Sequence, residues 1–275
     1  MKGHRLCICE GLATRLGLRE RGNAVPTEPP IIEVGITLQF EPLVGVTAVD
    51  IAELFQRYGE AYRTVQHVPS LMPMTLDDTG PTLQFEHASA ELPRTWFVSE
   101  DLRYVLQFQA DRFSVNWRRL GPKHSLEYPR YAAVLARFRD HFALFAAWAN
   151  ERFSAVPKIT LGELTFVNAV PMTSDNGPIR LSTIFTFIAP SSPRRIKGFL
   201  ARWTEIADEG VVHMTAGIGS MPDGQPAATL QIAARRAFGG EDVEAALTGL
   251  DQMRPHIHSA FESAISRDFW GRDPE

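Results

Sequence analysis

Apolar and polar residues alternate from residue 32 to residue 40. Ile32, Val34, Ile36, Leu38 and Phe40 fall on one side, and Glu33, Gly35, Thr37 and Gln39 on the other. That period of two predicts a strand with one buried face. Pro42 ends it. Thr47 and Asp50 then make a capping-box-like start, with Asp in place of the usual Glu. Ile51, Leu54, Phe55, Tyr58 and Tyr62 recur at helical spacing, which predicts a helix over residues 48–65. Short strands are expected at 82–87 and 95–98. Leu106, Phe108 and Ala110 alternate, Asp111-Arg112 turns, and Phe113, Val115 and Trp117 alternate again, giving a hairpin with one apolar face. Pro129 opens a helix over residues 129–153. Tyr131, Val134, Leu135, Phe138, Phe142, Phe145, Trp148 and Phe153 trace one stripe along it, and a stripe so rich in large aromatics predicts a core element.

The second half repeats the theme. Strands are expected at 161–170 and 180–189, on either side of a turn at Ser174-Asp175-Asn176-Gly177-Pro178. Ser192-Pro193 starts an expected helix carrying Ile196, Phe199, Leu200, Trp203 and Ile206, closed by Gly210. Strands at 211–218 and 227–236 follow, joined through Pro222-Asp223-Gly224. A last helix is expected over 241–267, kinked at Pro255. Both halves therefore read as strand, some helix, antiparallel strands and long helix, with no residue-level identity between them. Runs of adjacent strands followed by helices predict an α+β fold. The expected form is a curved antiparallel sheet built from two similar halves, with long amphipathic helices packed on one face and a polar opposite face. Residues 1–27 read as a basic, disordered extension, 28–156 as the N-terminal half and 157–275 as the C-terminal half, the two able to form one continuous domain.

Composition narrows the class. Of 275 residues, 44% are apolar and 22% charged, which excludes a disordered or low-complexity chain. The 28 basic and 32 acidic residues leave a net charge of −4, which disfavours a general nucleic-acid binder. Two cysteines, both near the N-terminus, exclude a disulfide scaffold. No run of 18 apolar residues predicts a membrane helix. Glu10 interrupts the apolar stretch that a signal peptide would need, so a cytoplasmic location is expected.

Candidate chemistry is sparse. Neither a phosphate-binding loop, nor G-x-G-x-x-G, nor G-x-S-x-G, nor H-E-x-x-H occurs. His4, Cys7 and Cys9 lack zinc-site spacing, and no metal or cofactor is expected. His256 and His258 lie about 200° apart on a helix, whereas His258 and Glu262 can pair. Asp77-Asp78 reads as a turn, and Arg194-Arg195 and Arg235-Arg236 as solvated ends of elements. The surface that stands out is the polar side of the 104–118 hairpin. Gln107, Gln109, Arg112, Ser114, Asn116 and Arg118 present planar hydrogen-bonding groups there. Gln107, Gln109, Arg112, Asn116 and Arg118 are taken as binding residues, against the plainer reading of a wet sheet face. No catalytic residue is assigned. The leading expectation is a non-enzymatic binding or interaction protein with a protein partner, of accessory or defence type. The alternatives are a small-ligand protein or enzyme with a polar cleft between sheet and helices, and a nucleic-acid binder on the curved sheet face.

Three stretches also carry a resemblance: Pro29-Pro30-Ile31-Ile32-Glu33-Val34 leading to Phe40 and Pro42; Leu106-Gln107-Phe108-Gln109 through Asn116-Trp117-Arg118 to Tyr128-Pro129-Arg130-Tyr131; and the ending from His256 to Phe261 with Trp270-Gly271-Arg272. Over residues 28–272 the chain resembles a sporadically distributed family of bacterial proteins of about this length, to which no activity is assigned. The resemblance implies no ligand, partner or catalytic residue. It does imply that residues 1–25 are an addition to the shared body.

Overall fold

In the computed structural model, residues 30–77, 92–120, 128–174, 177–189 and 198–269 are described. The alternating run forms β1 (Ile31–Phe40). Thr47 then caps α1 (Ala48–Tyr58) through the full capping box: its hydroxyl accepts from the Asp50 amide, and the Asp50 carboxylate accepts from the Thr47 amide. Four antiparallel strands succeed it: β2 (Tyr62–Val68), β3 (Arg94–Ser99), β4 (Tyr104–Gln109) and β5 (Arg112–Arg118). The long helix α2 (Tyr131–Phe153) closes the first half.

The second half opens on β6 (Ile159–Pro171) and passes through a small hairpin, β7 (Thr173–Ser174) and β8 (Gly177–Pro178), and one helical turn, α3 (Leu181–Ile184). It then builds β9 (Leu200–Ala207), β10 (Gly210–Ser220) and β11 (Pro226–Gly240) before α4 (Val243–Gln252) and α5 (Arg254–Ala264).

The main sheet has nine strands in the order β2-β3-β4-β5-β1-β6-β11-β10-β9, with every adjacent pair antiparallel. β1 and β6 lie side by side at its centre, with Ile36 opposite Leu164. Each half places its first strand at that junction, crosses to the outer edge and meanders back to pair its last strand with the first. Five strands lie on one side of the junction and four on the other. The fold is α+β, and the sheet is open rather than closed into a barrel.

All the large helices pack on one face. Val34, Ile36, Leu38 and Phe40 of β1 are almost wholly buried there. The aromatic stripe of α2 settles onto the first half: Phe113 stacks on Phe145 at 5.1 Å, and Trp148 meets Phe108 at 5.8 Å. Phe138, Phe142, Phe145 and Trp148 are fully buried. α1 is tied to the end of α2 by an Asp50–Arg152 ion pair at 2.5 Å. Tyr58 Oη donates to the His141 carbonyl at 2.7 Å, and Tyr62 Oη lies 2.8 Å from His141 Nε2.

Several local expectations change. The first helix stops at Tyr58 because Gly59 and a tight turn follow, and Tyr62 enters β2 as a buried strand residue. The hairpin turns at Ala110-Asp111; Arg112 belongs to β5, opposite Gln109. Residues 200–207, expected at the end of a helix, form the strand β9, because a pairing partner in β10 overrides their helical spacing. The strand expected over 180–189 is instead the short turn α3. Pro255 divides the last helix rather than bending it, since it sits in the first turn of α5 where no backbone donor is needed. The expected strand at 82–87, the extension before residue 28, Arg194-Arg195 and Trp270-Gly271-Arg272 lie outside the described residues.

Candidate functional site

The face of the sheet opposite the helices carries the polar members of the alternating runs. Across the strands these residues form rows. One runs Gln107, Ser114, Thr37, Glu163, Arg235; the next runs Asn116, Gly35, Thr165, Ala233, His213. Gln107, Gln109, Arg112, Asn116 and Arg118 all stand on this face, as the hairpin pattern predicts. They do different things there, and their surroundings are drier than a wet sheet face.

Residues 69–77 leave β2 and cross this face as an extended strap. Gln109 grips its main chain twice. Gln109 Nε2 donates to the Leu71 carbonyl at 2.8 Å, and the Leu71 amide donates back to Gln109 Oε1 at 2.8 Å. Gln39 does the same three residues further on. Its Nε2 donates to the Met74 carbonyl at 3.2 Å and its Oε1 accepts from the Met74 amide at 2.5 Å. A side-chain amide presents one donor and one acceptor in a plane, which matches one residue of extended backbone. Between the two glutamines, Arg112 Nη2 donates to the Met72 carbonyl at 2.6 Å. At the far end, Arg235 Nη1 donates to the Thr75 carbonyl at 3.0 Å.

Arg112 is only 3% exposed. Its charge is met by Asp111, whose carboxylate accepts from Nε and Nη2 at 3.2 and 3.1 Å. Gln109 Nε2 also donates to that carboxylate, at 2.9 Å. The expectation of an exposed arginine in a turn is therefore corrected. Arg112 is a buried strand residue held by an ion pair and committed to the strap.

Beside the strap, a second network runs across four strands. Arg94 donates to Gln107 at 3.0 Å, Gln107 to Asn116 at 2.7 Å, and Asn116 to Glu33 at 2.7 Å. Burial pushes the Glu33 carboxyl above its ordinary range, and the Asn116 hydrogen bond and the nearby Arg118 charge offset part of that. Arg118 stands at the edge of this network. Its guanidinium lies 5.8 Å from the Trp96 ring, which Arg94 also approaches at 5.4 Å.

Strap and network bound a cleft of about 220 Å³. Its floor is Gly35, Thr37, Ser114 and Thr165; Leu71 and Met74 of the strap form one wall, and Glu33 and Glu163 lie towards opposite ends. Thr37 donates to Ser114 at 2.8 Å, and Glu163 is paired with Arg235 at 2.6 Å. Glu33 and Glu163 attach to rows four strand positions apart, about 13 Å along the sheet at 3.3 Å per residue. They are not set as an acid–base pair on one small centre. This cleft lies on the helix-free face. Between sheet and helices the aromatic core fills the centre, and a second, more open hollow lined by Ser99, Asp101, Tyr104 and Arg137 lies where α2 meets the sheet.

The remaining candidates separate. His258 and Glu262 approach to 3.6 Å on the surface of α5, an i, i+4 pair. Arg235 and Arg236 are not solvated ends: Arg235 pairs with Glu163 beside the cleft and donates to the strap, while Arg236 pairs with Glu209 and with Gln252 on the other face. Asp77 is exposed, and Asp78, His4, Cys7 and Cys9 lie outside the described residues. Among the described residues no group of three His, Cys, Asp or Glu side chains is placed to hold a metal ion. None of their helices is long and apolar enough to cross a membrane.

The hairpin pattern found half of this site. Gln39 and Glu33 were legible as the polar side of β1, but nothing local marks them as partners of Gln109 and Asn116. The strap carries no periodic pattern, and its role comes from its main chain, which sequence does not differentiate. No protein-family model matches the chain, and no curated protein matches it in sequence.

Proposed function

We propose that the protein is a non-enzymatic binding protein of the bacterial cytoplasm whose helix-free sheet face holds an extended segment of a protein partner. The observation that carries this reading is the pair of planar contacts from Gln39 and Gln109 to the main chain of Met74 and Leu71. A face that grips two residues of backbone three positions apart, with Arg112 on the carbonyl between, recognises extended polypeptide largely independently of its side chains. Residues 70–75 are the segment that occupies it in this structure, and a partner's extended segment takes the same place. The acidic net charge of −4 weighs against nucleic acid as the occupant.

The test uses the strap as a peptide. Residues 70–77 are replaced in the full chain by a Gly/Ser stretch of equal length, and a fluorescent peptide Ser-Leu-Met-Pro-Met-Thr-Leu-Asp is titrated in. Saturable binding is expected, weakened by about tenfold or more when Gln39 and Gln109 are both changed to Ala, since two paired contacts are lost. A folded variant that shows no binding overturns the reading.

A further inference from the structure

The two halves of the sheet differ by one strand. In the first half, β3 is covered on its outer side by β2. In the second half, β9 ends the sheet, with no strand beyond it among the described residues. The two edges also differ in chemistry. β2 exposes Arg63, Thr64, Gln66 and His67 around a single apolar side chain, Val65 at 40%, which is how natural edges are kept from pairing. β9 exposes two larger and more exposed apolar side chains, Leu200 (65%) and Ile206 (91%), beside Arg202, Thr204 and Glu205. Trp203 and the 45%-exposed Phe187 extend the apolar surface around the edge, with their rings 5.1 Å apart.

We infer that β9 pairs antiparallel with β9 of a second copy, joining two sheets into one. A two-fold axis perpendicular to the sheet keeps each residue on its own face, so only residues separated by an even number can lie opposite each other. Leu200, Arg202, Thr204 and Ile206 share the helix-free face, as their partners in β10 show. An axis at Arg202 would set that arginine against itself, and an axis at Glu205 would set two glutamates together. An axis at Thr204 would put Leu200 opposite Asp208 and Arg202 opposite Ile206. Centred on Trp203, the register places Leu200 opposite Ile206 of the second copy, twice by symmetry. Arg202 then faces Thr204, Glu205 faces Ala201, and the two Trp203 side chains meet. This register covers both exposed apolar residues and sets no like charges directly opposite, the two Arg202 side chains lying only diagonally across the axis. The occupant is therefore a second copy of this chain.

Sedimentation of the full chain over about 1–100 µM tests this, because a dimer's population follows protein concentration. The expected result is a species of twice 30.7 kDa at the upper end, dissociating on dilution. Ile206→Lys is expected to be monomeric throughout with an unchanged melting temperature, since that side chain touches little within one copy. A second variant reports the register: with Cys7 and Cys9 changed to Ser, Leu200→Cys combined with Ile206→Cys is expected to form an oxidised, disulfide-linked dimer. A wild-type chain that stays monomeric at the upper concentration overturns the inference, as does a dimer that Ile206→Lys leaves intact.

Discussion

Asn116 reaches Glu33 by lying over Gly35: its Nδ2 donates to Glu33 Oε1 at 2.7 Å, and a Cβ built on Gly35 would stand 2.7 Å from that same nitrogen. The glycine is required here for close approach. Gly35→Ala is expected to push Asn116 aside and cost about 1–3 kcal/mol, the range for a buried polar group losing its partner. The Glu33 carboxyl, already raised by burial, should rise further without Asn116. A carbon-detected NMR titration of that carboxyl checks this, and an unchanged titration would show that Asn116 does not act on it.

The sign of the Glu33 effect on stability follows from the same shift. Its folded-state value lies above the ordinary 4.5, so it favours the native state below pH 4.5. That contribution disappears as pH rises through the folded value. Glu33→Gln cannot ionise. It is expected to lose less stability than the wild type between pH 4.5 and 7, measured as urea midpoints.

His141 acts in the opposite sense. Burial beneath Tyr58 and Tyr62, with the Arg137 charge nearby, holds its ring down to about 4 against an ordinary 6.5. The unfolded chain therefore takes up a proton first as pH falls, and stability present above pH 6.5 is lost progressively towards pH 4. Between pH 6.5 and 5 the loss is about 1.5 kcal/mol, approaching the limiting slope of 1.36 kcal/mol per unit only below pH 6. His141→Gln is expected to flatten that part of the pH profile in urea unfolding.

Trp148→Ala should be severely destabilising. The indole is fully buried among Phe108, Phe145 and Phe153, with ring centroids within 6 Å. Truncation leaves a cavity that costs about 3–5 kcal/mol. A near-wild-type urea midpoint would place the stripe of α2 outside the core.

Arg112→Met removes the cation facing the largely buried Asp111 carboxylate. Stranding that charge is expected to cost about 3–5 kcal/mol. Adding Asp111→Asn should recover part of the loss, because the uncompensated charge is gone while the strap contact is not restored. A double variant no more stable than Arg112→Met would show that the damage lies in the strap alone.

The sheet was legible where alternation was strong. β1, the β4–β5 hairpin, β6, β10 and β11 stand close to their expected places because one face of each meets the helices and the other does not. The long stripe of α2 was equally clear. β9 was not, because Phe199, Trp203 and Ile206 recur at a spacing that suits a helix, and pairing with β10 decided otherwise. The likeness of the halves was visible as an order of elements and not as matching residues. The structure gives a physical reason. The first half packs its helix through phenylalanines, whereas the second packs through Ala216, Ala228, Ala234, Ala246, Ala260 and Ala264. There a Cβ on Gly162 would come within 3.1 Å of Leu250. Helix layers resting on such different side chains need different residues at every corresponding position.

The chain passes from one half to the other once, through residues 154–158 between α2 and β6. Ser154 closes α2 in the left-handed conformation, and Ser154, Val156 and Lys158 are exposed. The other ties between the halves are non-covalent, among them the β1–β6 ladder, Arg139 with Glu244, Arg254 over Tyr131, and Arg235 on the strap. A protease cut in that connection would sever no strand and no helix. The cleaved molecule would hold together as two interlocking fragments, and each fragment would end beside the seam that lets it find the other.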